Sequence, residues 1–141
     1  METPTACDRC AAVDCEARFH ACLAADFSDP AYGVVHHLVV PTYGLQHGWY
    51  TEQAAPRLVE FVLDHLDREP TDHDRREIRR LTDGATRVRA RGPGAAPVAW
   101  QHNVADVDVA SAEAYVATVR AWAASVARTC DTTPGSAEHG R

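Results

Sequence analysis

Residues 7–20 read CDRCAAVDCEARFH, three cysteines and a histidine at the spacing C-x2-C-x4-C-x4-H. No other stretch restricts the fold as much. Thiolates and an imidazole this close together bind Zn²⁺ tetrahedrally, because a turn folds the first cysteine pair around one ion. Three of the five cysteines fall within residues 7–15, a clustering that unrelated reduced thiols in a loop would rarely produce. The predicted ligands are Cys7, Cys10 and Cys15, with His20 as the fourth. Zn²⁺ is the expected ion, and other transition metals stay open. One geometrical condition bears on His20. It lies five residues after Cys15, and on a regular helix that separates the two side chains by about 140°. His20 joins only if Cys15 precedes the helix; otherwise the fourth ligand comes from elsewhere.

The supplier would be HHLVVPTYGLQH, residues 36–47, where His36, His37, Tyr43, Gln46 and His47 interrupt an apolar run. On a continuous helix His36, Val40, Tyr43 and His47 form one stripe, and His37 points about 100° away. Pro41 disfavours helix at Val40 and removes a hydrogen bond to the carbonyl of His37, so a kink or split is expected there. That leaves His36 and His37 both open. His37 or His47 is the alternative ligand to His20. Neutral imidazole suits Zn, Cu, Fe or Ni. Tyr43 and Gln46 suit a supporting shell or a substrate oxygen. On the catalytic reading His36, His37, Tyr43 and His47 surround the metal. On the bland one, a histidine caps a carbonyl and the others lie on the surface.

The chain has 141 residues and a net charge of −6, and its basic residues are all arginine, as in GC-rich bacterial coding. Its length predicts one domain over residues 7–129, with flexible tails at 1–6 and 131–141. Residues 1–48 set Glu2, Asp8, Asp14, Glu16, Asp26 and Asp29 against Arg9 and Arg18. Such an acidic surface argues against nucleic acid, whose binding draws on phosphate neutralisation. No run is long and apolar enough to span a membrane. METPTACDRC lacks the basic and apolar regions of a secretory signal, which predicts a cytoplasmic chain whose cysteines are thiols or ligands before disulfides.

The predicted architecture is mainly α, a compact bundle of four or five helices with a metal loop at the N-terminus and at most a small β element. A helix over 16–27 puts Phe19, Leu23 and Phe27 on one face and Cys22 in the core. A second starts near Pro30. The clearest helix is 52–67, with Thr51 as cap and Ala55, Leu58, Val59, Val62, Leu63 and Leu66 recurring at three and four. Residues 71–81 form a short charged helix with only Ile78 and Leu81 to bury. Residues 84–97 read as irregular or as an edge hairpin, and 98–109 alternate in part like a strand. Ser111 caps a last helix carrying the stripe Tyr115, Val116, Val119, Trp122, Ala123 and Val126.

Two resemblances add to this. C-x2-C-x4-C-x4-H resembles a zinc knuckle with its last two ligands exchanged, over residues 7–20 only. More broadly, the chain resembles an uncharacterised family of small bacterial proteins, a domain of unknown function. The residues that carry it are Cys7, Cys10, Cys15 before Phe19-His20, then His36-His37-Leu38, Val40, Tyr43, Leu45-Gln46-His47, Trp100, Val104 to Val107 and Ala121 to Val126. Ala11 stands where that pattern has glycine after the second cysteine. The family implies no activity, only that these positions form one unit.

Other features weigh less. Arg87, Arg89 and Arg91 would share one side of a strand, more as a solvated edge than as an anion site. Asp106 and Asp108 read as capping before a helix. His65, His73 and His139 sit in charged contexts and read as surface; Cys130 reads as a free thiol. Two functions remain. One is a metalloenzyme acting on a small metabolite by hydrolytic, lyase or cyclising chemistry, using a zinc-bound water or a polarised carbonyl. The other is a non-catalytic protein in which a Cys3His zinc staples the N-terminus to a helical body and function lies in a partner surface. Four protein ligands favour the staple; three plus water favour catalysis.

Overall fold

The computed structural model describes residues 6–7, 9–81 and 100–131. Its helices are α1 (Cys15–Ser28), α2 (Pro30–Gly33), α3 (His36–Gln46), α4 (Ala55–Asp64), α5 (Asp72–Leu81) and α6 (Ala112–Asp131), with a 3-10 turn at Val104–Asp106. Among the described residues there is no strand, only an isolated bridge between Ala6 and Val13. No described helix is long and apolar enough to cross a membrane.

α6 is the central element. Its stripe of Tyr115, Val119, Trp122, Ala123 and Val126 is wholly buried, and it packs against α3 and α4. α4 contributes Leu58 and Val62, and α3 contributes Leu38 and Val39. Ser111 caps α6 as expected, its Oγ accepting the N–H of Ala114 at 3.1 Å. Thr51 Oγ1 accepts from Ala54 at 3.2 Å and begins the turn that leads into α4.

Several expectations are corrected. The break near Pro41 falls earlier, at Val34 and Val35, and α3 runs unbroken through Pro41. A proline inside a helix costs one hydrogen bond, and here the turns on either side are held in the core by Leu38, Val39 and Leu45. Residues 100–109 form no strand: Asn103 accepts from Ala105 N at 2.9 Å while Asp106 accepts from Asn103 N at 2.9 Å. This reciprocal cap closes the 3-10 turn, and Asp108 accepts from Ala110 N at 2.9 Å. Phe27 leaves the face shared by Phe19 and Leu23 and is 77% exposed, while Asp26 beside it is buried. The polar residue is held inside because its carboxylate is bonded on both oxygens, by Tyr115 Oη at 2.7 Å and by His36 Nδ1 at 2.8 Å. His65, expected at the surface, is buried: its Nδ1–H donates to the Phe61 carbonyl at 2.8 Å and its Nε2 meets Asp74 at 3.2 Å. The arginines at 87, 89 and 91, His139 and most of both expected tails lie outside the described residues.

Candidate metal centre

The cysteine loop is a tight turn. Cys7 N donates to the Ala12 carbonyl and Ala11 N to the Cys7 carbonyl, each at 2.9 Å. Ala11 has φ 71° and Asp14 φ 57°, both in the left-handed region. Two side chains from the far end of the chain clamp the loop: Trp100 Nε1 donates to the Arg9 carbonyl at 2.8 Å and Asn103 Nδ2 to the Cys10 carbonyl at 3.0 Å. These bonds hold the turn against the 3-10 segment.

The other side of the site comes from the end of α3. Gly48, at φ 69°, turns the chain out of the helix, and Trp49 N bonds back to the Gly44 carbonyl at 3.0 Å. Gly44 is needed for a second reason, since a Cβ there would lie 2.7 Å from the Tyr50 ring. His47, just past the last turn, places Nδ1 2.7 Å from the Tyr43 carbonyl. A carbonyl only accepts, so Nδ1 carries the proton and Nε2 keeps its lone pair. That lone pair lies among the sulfurs, 3.6 Å from Cys7 Sγ and 3.7 Å from Cys15 Sγ.

Cys7, Cys10, Cys15 and His47 thus offer four donor atoms within 4.8 Å of one another. Tetrahedral bonds of about 2.3 Å to sulfur and 2.0–2.1 Å to nitrogen require an S···N separation of about 3.6 Å. The separations of His47 Nε2 from Cys7 Sγ and Cys15 Sγ match that. The electrostatics point the same way. Burial, reinforced by the negative charge of Cys15 and Cys7, pushes the Cys10 thiol up to about 12. Burial also pushes Cys7 up, but the N–H groups of Cys10 and Arg9 and the neighbouring thiols outweigh it and leave Cys7 below 9.0. Deprotonating all three sulfurs of this half-buried cluster would set like charges side by side, and a divalent cation is the group that removes the conflict. The chemistry of the donor set, three soft sulfurs and one imidazole converging within 4.8 Å, is of the kind that zinc accepts.

Tyr43 supports the centre. Its hydroxyl lies 3.4 Å from Cys15 Sγ. Burial, the bond to Cys15 and the nearby thiolates all raise its pKa, so the hydroxyl stays protonated and donates. The ring is stacked between Phe19, at 4.0 Å and 5°, and His47, at 3.9 Å and 29°. Trp49 closes the edge at 5.5 Å.

The remaining sequence candidates go elsewhere. α1 begins at Cys15, so His20 sits about 140° around the helix from it; it is exposed and is not in the converging group. The stripe of His36, Tyr43 and His47 does face α1, as a continuous helix requires, but His36 meets Asp26 instead of the cysteines. His37 turns to α4 and donates through Nε2 to the His65 carbonyl at 2.8 Å. Gln46 ties the bundle together, donating to the His102 carbonyl at 2.8 Å and accepting from Trp122 Nε1 at 3.0 Å. Sequence reasoning missed Asn103 and Phe19 as parts of the centre. The N-x-x-D cap was a legible signal for a turn at Asn103 but not for its reach to Cys10.

Residues 5–131 match DUF5946, a family of unknown function, and the chain belongs to that family. No curated protein and no solved structure matches the chain.

Proposed function

We propose that this DUF5946 domain is a zinc-stapled helical protein whose metal is structural, and that it works by binding rather than by catalysis at the metal. The observation that carries this is the count of donors. Three sulfurs and one imidazole nitrogen converge within 4.8 Å, enough donors to fill a tetrahedral zinc, whereas a catalytic zinc keeps one position for water or substrate. Two of the four are deeply enclosed, Cys10 at 0% and His47 at 9% exposed. The staple joins the N-terminal loop to the end of α3, and the loop in turn is clamped by Trp100 and Asn103. One ion thereby ties together three stretches of chain far apart in sequence. Tyr43, a candidate acid or base on the metalloenzyme reading, has its hydroxyl on a ligand sulfur. None of the five cysteines is in a disulfide, as a reducing, cytoplasmic setting would keep them.

The test is cobalt substitution. Purified protein should carry one zinc per chain, and the Co²⁺ form should show a tetrahedral sulfur-rich spectrum that azide and cyanide leave unchanged. X-ray absorption should fit three sulfurs and one nitrogen. A spectrum shifted by those anions, or a fit needing a water oxygen, would return the metabolite-directed metalloenzyme to first place. Protein prepared gently and free of transition metal would remove both readings.

A further inference from the structure

We infer that the outer face of α6, with α2 as its wall, is a self-complementary surface on which a second copy of this chain docks in antiparallel fashion. The inference goes beyond the metal centre and does not depend on it. A shallow groove of about 400 Å³ is lined by Ala31, Ala112, Glu113, Val116, Ala117 and Arg120. It lies on the side of α6 away from the core stripe. Ala121 and Ala124 continue the same face as small residues. Alanine-lined helices can approach to the short end of the usual 8–10 Å interaxial range.

Two charges stand on this face. Glu113 and Arg120 are seven residues apart, two helical turns, so they point to the same side about 10 Å from each other along the axis. Neither makes an ion pair or side-chain hydrogen bond among the described residues, and Arg120 Nε is buried with no partner. That Nε is covered by the chain itself, so the part of the guanidinium that a second copy can meet is the outer pair of nitrogens. Elsewhere on the surface arginines do find carboxylates, as Arg80 does with Glu77 at 2.9 Å.

The order of these residues selects the occupant. Glu113 lies three positions before Val116, and Arg120 three positions after Ala117. A two-fold axis passing between Val116 and Ala117 therefore sets Glu113 against Arg120 of the second copy, and Arg120 against Glu113 of the second copy. Val116 then packs on Ala117 of the second copy at the centre. An isologous contact of this kind requires a patch that complements itself. The chain carries −6 overall, yet this strip holds one charge of each sign. A basic partner would be drawn to the acidic surface outside the strip, whereas a second copy finds both of its charges matched.

The experiment is sedimentation equilibrium on the zinc-loaded full chain from low to high micromolar concentration. Wild type should associate to a dimer. E113R alone and R120E alone set like charges against each other and should weaken the dimer by at least about tenfold. The double variant E113R/R120E should restore it, because the swap preserves the complementarity. Circular dichroism and zinc content establish that each variant is folded. A wild type that remains monomeric throughout overturns the inference without recourse to variants. So does a dimer that both single variants leave intact, or a folded double variant that fails to recover.

Discussion

A Tyr43→Phe variant deletes one hydroxyl and leaves the ring. The stacks on Phe19 and His47 survive, at 4.0 and 3.9 Å between centroids, so the change isolates the O–H···S contact to Cys15 at 3.4 Å. A group that hydrogen-bonds a metal ligand typically contributes 10–100-fold to metal affinity. Zinc affinity should therefore fall by about ten- to a hundredfold, which is about 1.4–2.7 kcal/mol. Stability gained from a ligand follows its affinity for the folded state. At saturating free zinc the variant should lose the same amount, lowering Tm by about 5–10 °C for a domain of this size. Metal-free protein tells a different story. There the hydroxyl makes one ordinary hydrogen bond, worth about 0.5–1.5 kcal/mol. The assay is a competition titration against a chromophoric chelator, together with melting curves with zinc and after chelation. Zinc affinity unchanged within about twofold would refute the supporting role of Tyr43. An equal drop in Tm with and without metal would show that the hydroxyl serves the fold alone.

Ala11→Gly should stabilise the protein. The residue sits at φ 71°, where a Cβ costs about 1–2 kcal/mol and glycine's added unfolded-state freedom takes back about 0.5–1; the net gain of about 0.5–1 kcal/mol is readable by urea melts, and a loss would contradict it. Tyr115→Phe should cost about 1.5–3 kcal/mol, since it removes the one O–H that the buried Asp26 carboxylate accepts at 2.7 Å, with the Cys22 carbonyl a longer, shared acceptor at 3.1 Å; a cost under about 0.5 kcal/mol would show that Asp26 is satisfied without it. Burial, with the nearby charges of His65 and Arg75, depresses the His37 pKa below 6.5, against the opposing bond to the His65 carbonyl. The unfolded chain then binds the proton more readily, so stability is full above 6.5 and falls as pH drops through that value toward the lowered folded pKa. Tm should decline in that window, and His37→Gln should flatten the decline; an unchanged slope would assign it to other groups.

Much of this protein follows from local order along the chain. The stripe on α6, the 3–4 repeat of α4, the cap at Ser111 and the turn that brings Cys7 and Cys10 together are set by periodicity and short-range geometry. The phase of α3 was legible only on the condition of a continuous helix, which would send His36, Tyr43 and His47 one way and His37 another; that the helix runs unbroken through Pro41 was decided by packing. The choice among histidines was not legible. His20 and His47 are equally good ligands as residue types. What separates them is that α1 starts at Cys15 itself, turning His20 away, while Gly48 ends α3 where His47 meets the sulfurs. Those are facts about where helices begin and how they pack, and spacing alone carries neither. The burial of Asp26 and His65 is of the same kind. A polar side chain enters the core only when partners from distant segments satisfy it, and Tyr115, His36 and Asp74 are brought to those positions by the packing of the helices that carry them.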